Sequence, residues 1–454
     1  MERPMRDMLE RVSGRVSLHM PGCQGRGPFG PVDPYRLDAT ELPVTDDLYR
    51  PTGAIARAQE LAAISAGAAS TLLLHGGSTA GVHAMLLYAA GRGGQVILPR
   101  NAHLSCLNVC ALADIEPVFA EPDFTPSGRP YTTPAAYARA LDEHPGAKAA
   151  LALHTDYYGL LSDLPGIARE VHRRGALLLC DEAHGAYFNW RQDVPNAGRC
   201  GADLFVQSAH KTLPALTPGA WLHAMPGVDA ERLRAMLRMV QTSSPSFVNM
   251  LSLDDARAWM DERGAAACDV LGKALEAFRV RAAALGYADG QRDGMPYDRL
   301  RLVLNASMGG DALADALEKQ GVDVEMSDRA SIVCILSLMD GEERLRRLLD
   351  ALRKLDVRGA PEGALPLCPA EWPIRKISLS RAAFAPQEEA PLSDAAGRVS
   401  AAAVGPYPPG TAWLTPGDEI TPEIANLLAC APPERFFGLT RGGCIRCVKT
   451  EGIR

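Results

Sequence analysis

The chain has 454 residues, 47% hydrophobic and 22% charged, with a formal net charge of −7. That length exceeds one ordinary hydrophobic core, so two domains with an arm are expected. The acidic balance and the lack of any basic stripe argue against a nucleic-acid partner. No apolar run approaches the ~20 residues needed to cross a bilayer.

The first 45 residues read as an N-terminal arm. Met1–Asp7 opens a charged helix with no apolar stretch behind it, so a cytoplasmic chain without a secretory signal is expected. The turn-rich run Leu18-His-Met-Pro-Gly-Cys-Gln-Gly-Arg-Gly27 follows; it cannot build a core and is expected to pack over the main domain or a second subunit. Residues 46–285 read as a large α/β domain. Short apolar strands are expected over Thr71–His75, Gln95–Leu98, Ile115–Phe119, Ala149–Leu153, Ala176–Cys180, Leu204–Gln207 and Ala220–His223. Helices such as Thr79–Ala90, Ala102–Ala113 and Leu164–Arg174 separate them, and Leu251–Leu285 suits a long connecting helix. Strands apolar on both faces and alternating with helices imply a mostly parallel seven-stranded sheet with helices on both faces.

Residues 286–454 read as a smaller α+β domain. Its strands are expected over Arg299–Leu304, Val322–Met326 and Ile332–Ser337, and its helices over Asp311–Gln320 and Glu342–Lys354. A Pro-rich connector, Gly359–Pro373, interrupts it. The cysteines are scattered without a disulfide framework, which suits small buried hydrophobes in a reducing compartment. Cys444 and Cys447 form a C-x-x-C pair with no second pair to complete a metal site, so no metal is expected.

Ligands of such sheets bind beyond the carboxyl ends of the strands, and four strand ends carry polar residues. After the first strand, Gly76-Gly-Ser-Thr79 opens a helix, where the Gly77 backbone and the Ser78 and Thr79 hydroxyls suit a phosphate, or merely a turn. After the second, His103 can stack on a flat ring or cap a helix. After the fifth, Asp181 is placed to keep a ring nitrogen protonated, or to cap a helix, with His184 nearby. The sixth ends in Ser208, His210 and Lys211. Any one of these has a structural explanation. Together they supply an amine for a Schiff base, a carboxylate for a pyridinium and donors for a phosphate, the set that pyridoxal 5'-phosphate (PLP) requires.

At this point the chain resembles a known family. It is similar to the Orn/Lys/Arg decarboxylases, in the short bacterial form, which are PLP enzymes of fold type I. The resemblance rests on Leu18-His-Met-Pro-Gly22, Asp46-Asp-Leu-Tyr-Arg-Pro-Thr-Gly53, Arg100-Asn-Ala-His103, Asp181-Glu-Ala-His184, Ser208-Ala-His-Lys211 and Gln241-Thr-Ser-Ser-Pro-Ser246. Gly405-Pro-Tyr-Pro-Pro-Gly410 and Pro416-Gly-Asp-Glu-Ile420 extend it to the C-terminal part, and the first of these is absent from aminotransferases of the same fold.

The resemblance implies Lys211 as the Schiff-base lysine, Asp181 as partner of the pyridine nitrogen and His103 as the stacked ring. Gly77, Ser78, Thr79, Ser208 and His210 are implied on the phosphate side, and His184 close to ring and substrate. It also implies a homodimer with shared active sites, in which Thr242 and Ser243 approach the partner's cofactor. The activity expected is decarboxylation of arginine, lysine or ornithine, with arginine favoured by analogy to short-form relatives and the amine product feeding polyamine synthesis. Asp46, Asp47, Asp156 and Glu182 are candidates for the distal cation of that substrate, and Arg381 for a carboxylate. The chain departs from the family pattern at Cys23, Leu104, Gly77 and the run His154-Thr155-Asp156-Tyr157. The alternatives are another PLP reaction, aminotransfer or elimination, and a non-catalytic PLP-binding protein.

Overall fold

In the computed structural model, residues 14–30, 33–291, 293–339, 341–355, 368–407 and 410–449 are described. The expected helix at Met1–Asp7, most of the Pro-rich connector, and Pro408 and Pro409 lie outside them.

Seven strands build the central sheet: β1 (Ser70–Leu74), β2 (Gln95–Pro99), β3 (Glu116–Ala120), β4 (Ala149–Leu153), β5 (Leu177–Asp181), β6 (Leu204–Gln207) and β7 (Ala220–Ala224). Their order is β1-β7-β6-β5-β4-β2-β3. β2 to β6 pair in parallel, whereas β7 runs antiparallel between β1 and β6. The sequence Ala149-Ala-Leu-Ala-Leu153 shows why: nearly every residue is buried, so both faces of the strand must be covered.

The helices α1 (Ala54–Ala66), α2 (Gly77–Ala90), α3 (Leu104–Ala113), α4 (Pro134–Glu143), α5 (Leu164–Arg173) and α6 (Ala230–Val240) supply that cover. Most have local start signals. Thr133 and Asp163 cap α4 and α5 with a proline just inside, and Asp229 caps α6. One core packs α2, α3 and α6 on one face of the sheet, and another packs α4 and α5 on the other.

The long helix α7 (Phe247–Ala284) leads out of the large domain. Beyond it, β8 (Ala288–Asp289), β9 (Leu302–Asn305), β10 (Met326–Ser327) and β11 (Ser331–Cys334) form an antiparallel sheet with α8 (Gly310–Glu318) and α9 (Gly341–Leu352). Their core is continuous with α7 and with Val16 and Leu18 of the arm, which pairs in parallel with Val322–Val324. A separate core around Trp413, Leu414 and Ile424 holds the last part of the chain, including α11 (Pro422–Ala429), whereas Leu379 of α10 (Leu379–Phe384) is buried in the core of α2, α3 and α6. This last unit is fastened to the large domain near the strand ends. Arg100 lies over the rings of Phe119 and Trp372, and Arg375 donates to the Pro117 carbonyl.

The arm reaches the Lys211 turn directly. Gly22 N–H donates to the His210 carbonyl at 2.7 Å. A Cβ at Gly22 would stand 2.7 Å from the Thr212 carbonyl carbon, so no other residue fits there without moving the turn.

Candidate active site

A cavity of about 290 Å³ opens at the carboxyl ends of β2, β4, β5 and β6. Ser78, His103, Asp156, Asp181, His184 and Lys211 line it, and Tyr407, Gly410 and Phe437 of the last unit close it from above. The strand ends and, from the last unit, Tyr407 and Gly410 therefore meet at one site. A larger groove of about 700 Å³ between α7 and α9 contains none of the strand-end residues.

Lys211 lies in one helical turn, Ala209–Thr212, that begins as β6 ends. Its Nζ is 3.1 Å from His184 Nε2 and lies over the Tyr157 ring. Burial pushes its amine pKa down, Asp181 and Glu325 oppose that shift, and Arg301 adds to it. His184 is buried between Lys211, the Tyr157 ring at 4.4 Å and the Arg301 guanidinium. Burial first, then the neighbouring cations, keep its imidazole neutral.

Asp181 ends β5 nearly buried, and its Oδ1 accepts the Ala183 N–H at 3.0 Å. His103 is at once the cap of α3 and a wall of the cavity. Its Nδ1 accepts from Ser105 N–H, which leaves the ring fixed at the mouth. The capping and functional explanations of this residue are thus compatible.

Ser78 and Ser208 meet at 2.8 Å between their hydroxyls. Gly77 has φ +72 and opens α2, so its N–H and those that follow are free for an anion. Thr79 is exposed one residue on. His210 is anchored through Nδ1 to the Gly219 carbonyl at 2.9 Å and stands beside this turn without lining the cavity. Gln241, quoted above only as part of a motif, holds the turn in place: its Oε1 accepts from His75 and Gly76 N–H. Its Nε2, like His75 Nε2, is buried without a partner. Thr242 and Ser243 are exposed beyond it.

Of the four acids considered for a distal cation, only Asp156 lines the cavity. Asp46 accepts N–H groups from Thr52, Gly53 and Ile55 at the start of α1; against the penalty of burial these hold it at about 2. Asp47 caps a turn through Tyr49 N–H. Glu182 is one residue past Asp181 and therefore points to the opposite face of the sheet. There it accepts from Ala197 N–H and Gln207 Nε2, fully buried. Arg381 also falls away from the site. It is exposed on α10, whose Leu379 and Ala382 are the buried positions, so it does not face the cavity.

Asp156 sits where the cavity meets a second chamber of about 30 Å³, lined also by Thr132 and Ser162. The hydroxyls of both are buried without partners. Burial pushes Asp156 up to about 6 although Leu160 N–H, Arg129 and Arg301 act to lower it. Sequence reasoning missed Tyr157, Tyr407, Glu325 and Arg301. A motif could have flagged the two tyrosines, but nothing local marks Glu325 or Arg301 as neighbours of Lys211.

Cys444 and Cys447 lie on a strand, Cys444–Val448, at positions that face opposite sides. Among the described residues no group of three His, Cys, Asp or Glu is placed to hold a metal ion, and no helix is long and apolar enough to cross a membrane.

The donor set suits PLP. A buried amine of lowered pKa, a carboxylate at the adjacent strand end, paired serine hydroxyls and an open helix N-terminus surround one cavity.

Comparison with known proteins agrees. The Orn/Lys/Arg decarboxylase major-domain model matches residues 33–284, and the C-terminal-domain model of the same family matches residues 379–431. The chain is 32% identical over 441 residues to the uncharacterized protein YaaO of Bacillus subtilis, covering 91% of this chain and 90% of that one. It is 30% identical to an arginine decarboxylase of Halalkalibacterium halodurans over 89% of this chain and 88% of the other. Among solved structures, the Francisella novicida lysine decarboxylase LdcF superposes with a TM-score of 0.79 at 18% identity, over 89% of this chain and 73% of that one. With strand order, cavity and both family domains in agreement, the chain belongs to the Orn/Lys/Arg decarboxylases: it is a PLP-dependent amino-acid decarboxylase of fold type I.

Proposed function

We propose that this enzyme decarboxylates a basic amino acid, arginine before lysine or ornithine, and that Asp156 reads the distal cation. The observation that carries this reading is the cavity itself: Lys211 and Asp181 lie at its base, and Asp156, unlike the other acids considered, stands on its wall. Relatives named arginine decarboxylase at 28–30% identity favour arginine.

In this reading PLP supplies an aldehyde and an electron-withdrawing ring that accepts the electrons left when CO2 departs. Lys211 attaches it, Asp181 keeps the ring nitrogen protonated and His103 packs on the ring. Gly77, Ser78, Thr79, Ser208 and His210 hold the phosphate. His184 and Lys211 form the proton-carrying pair of the pocket. Tyr407 and Phe437 shield the site from water, which strengthens each of these interactions. Two copies of the chain complete the site, with Thr242 and Ser243 of one facing the cofactor of the other.

A screen of arginine, lysine and ornithine for CO2 release, with keto-acid formation measured in parallel, tests the reading. CO2 without keto acid is expected, fastest with arginine. Keto acid as main product, or full activity in Lys211→Ala, would overturn it.

A further inference from the structure

Arg301 is buried to 1% exposure immediately before β9, behind the wall of the cavity. Among the described residues it has no carboxylate within ion-pairing distance. Of the nearby acids, Asp298 is taken by Arg191 and Tyr187, and Asp156 Oδ1 is taken by Leu160 N–H. Its Nε and Nη1 have no partner, while Nη2 lies 3.5 Å from His184 Nδ1. A buried guanidinium without a counter-ion is costly, so its position calls for an explanation.

The donor inventory supplies one. A guanidinium has donors and no acceptor, so its contact requires a lone pair on His184 Nδ1. A neutral ring with Nδ1 unprotonated carries its hydrogen on Nε2. That Nε2–H points at Lys211 Nζ, 3.1 Å away, and an amine can accept it only when uncharged. We propose that Arg301 is a positioning residue that fixes His184 as the Nε2–H tautomer and thereby keeps Lys211 a free amine, ready to attack the cofactor's aldehyde. The lack of a carboxylate partner follows, because pairing Arg301 would cancel its field at Lys211. A neighbouring cation is one recognised way to make a lysine nucleophilic.

The other groups facing Lys211 act in both directions. Asp181, from the end of β5, and Glu325, from the small domain, favour its charged form. His103 and Tyr157 line the same cavity. Two carboxylates would hold Lys211 protonated at neutral pH unless burial and Arg301 together outweigh them.

Two measurements on the full chain test this, and neither needs turnover, so the choice of amino-acid substrate does not affect them. In the first, ¹⁵N NMR of the cofactor-free protein, with His184 assigned by its loss in His184→Gln, reads the tautomer. Nε2–H is expected, and Nδ1–H would overturn the proposal. In the second, the rate of PLP uptake by the cofactor-free chain is followed against pH. Arg301→Met should raise the midpoint of that profile by about one pH unit, the size expected of a buried charge one ring's width away. Arg301→Lys should stay near the parent. A folded Arg301→Met chain with the parent midpoint would overturn the proposal; if that variant fails to fold, the tautomer of the parent decides.

Discussion

The two faces of the sheet at the ends of β5 and β6 are both polar and both buried, yet they do different work. On one face Asp181, His184 and Lys211 surround a cavity. On the other, Glu182, Gln207, Asn189, His223 and Thr71 are joined into a closed network. His223 bridges Thr71 Oγ1 and Gln207 Oε1, and Gln207 donates to Glu182 and Asn189. The network saturates its donors and acceptors, so it holds β1, β5, β6 and β7 together and has nothing left for a ligand. The cavity face leaves amine, carboxylate and hydroxyls open. Asp181, the last residue of β5, and Glu182, which follows it, thus face a cavity and a closed network respectively through the alternation of the backbone alone.

The sharpest way to break that contrast is on the open face. Lys211→Ala should lower CO2 release by about a thousandfold or more, since it removes both the attachment point and a proton carrier. Asp181→Asn should lower kcat by about a hundredfold, with the chain still folded, because a preorganised charge beside the ring is lost. Both are read as initial rates with cofactor in excess.

A smaller effect is expected at Asp156. Because it ionises only near 6, KM for a basic substrate should fall as pH rises through that value. The ionised carboxylate present above the midpoint attracts the cation, while the protonated form below it does not. Asp156→Asn should raise KM at pH 7.5 by about tenfold, the size of one charge-assisted hydrogen bond, and remove the step from the pH profile. An unchanged KM would remove Asp156 from substrate recognition.

On the closed face Glu182→Ala should leave KM unchanged. It should instead cost about 1–3 kcal/mol of stability, because Gln207 and Ala197 N–H lose a buried acceptor, seen as a lower thermal midpoint. If KM moved as much as in Asp156→Asn, the separation of the two faces would fail.

Much of this was legible in the chain. The seven strands lie within a residue or two of the apolar runs that announce them, because a strand buried on both faces must be apolar throughout. Lys211, Asp181, His103 and Ser78, which line the cavity, stand out in the sequence because each follows such a run. The helix α1 carries a weaker local signal, and the expected strand Val322–Met326 is divided: Val322–Val324 pairs with the arm, while β10 begins at Met326 and pairs with β11. The acids show the limit most clearly. Asp46, Asp47, Asp156 and Glu182 look alike as letters, and only one reaches the cavity. The others are consumed by backbone N–H groups or by the network behind the sheet.

Sequence alone therefore determined the sheet, the residues at its strand ends and the cofactor chemistry, since hydrophobic period and turn composition are local properties. Tertiary structure decided the rest. It brought Tyr407 from the last unit to the cavity and Gly22 from the arm onto the Lys211 turn, and it set Arg301 behind His184. Those contacts join residues far apart in the chain, and no local pattern encodes them.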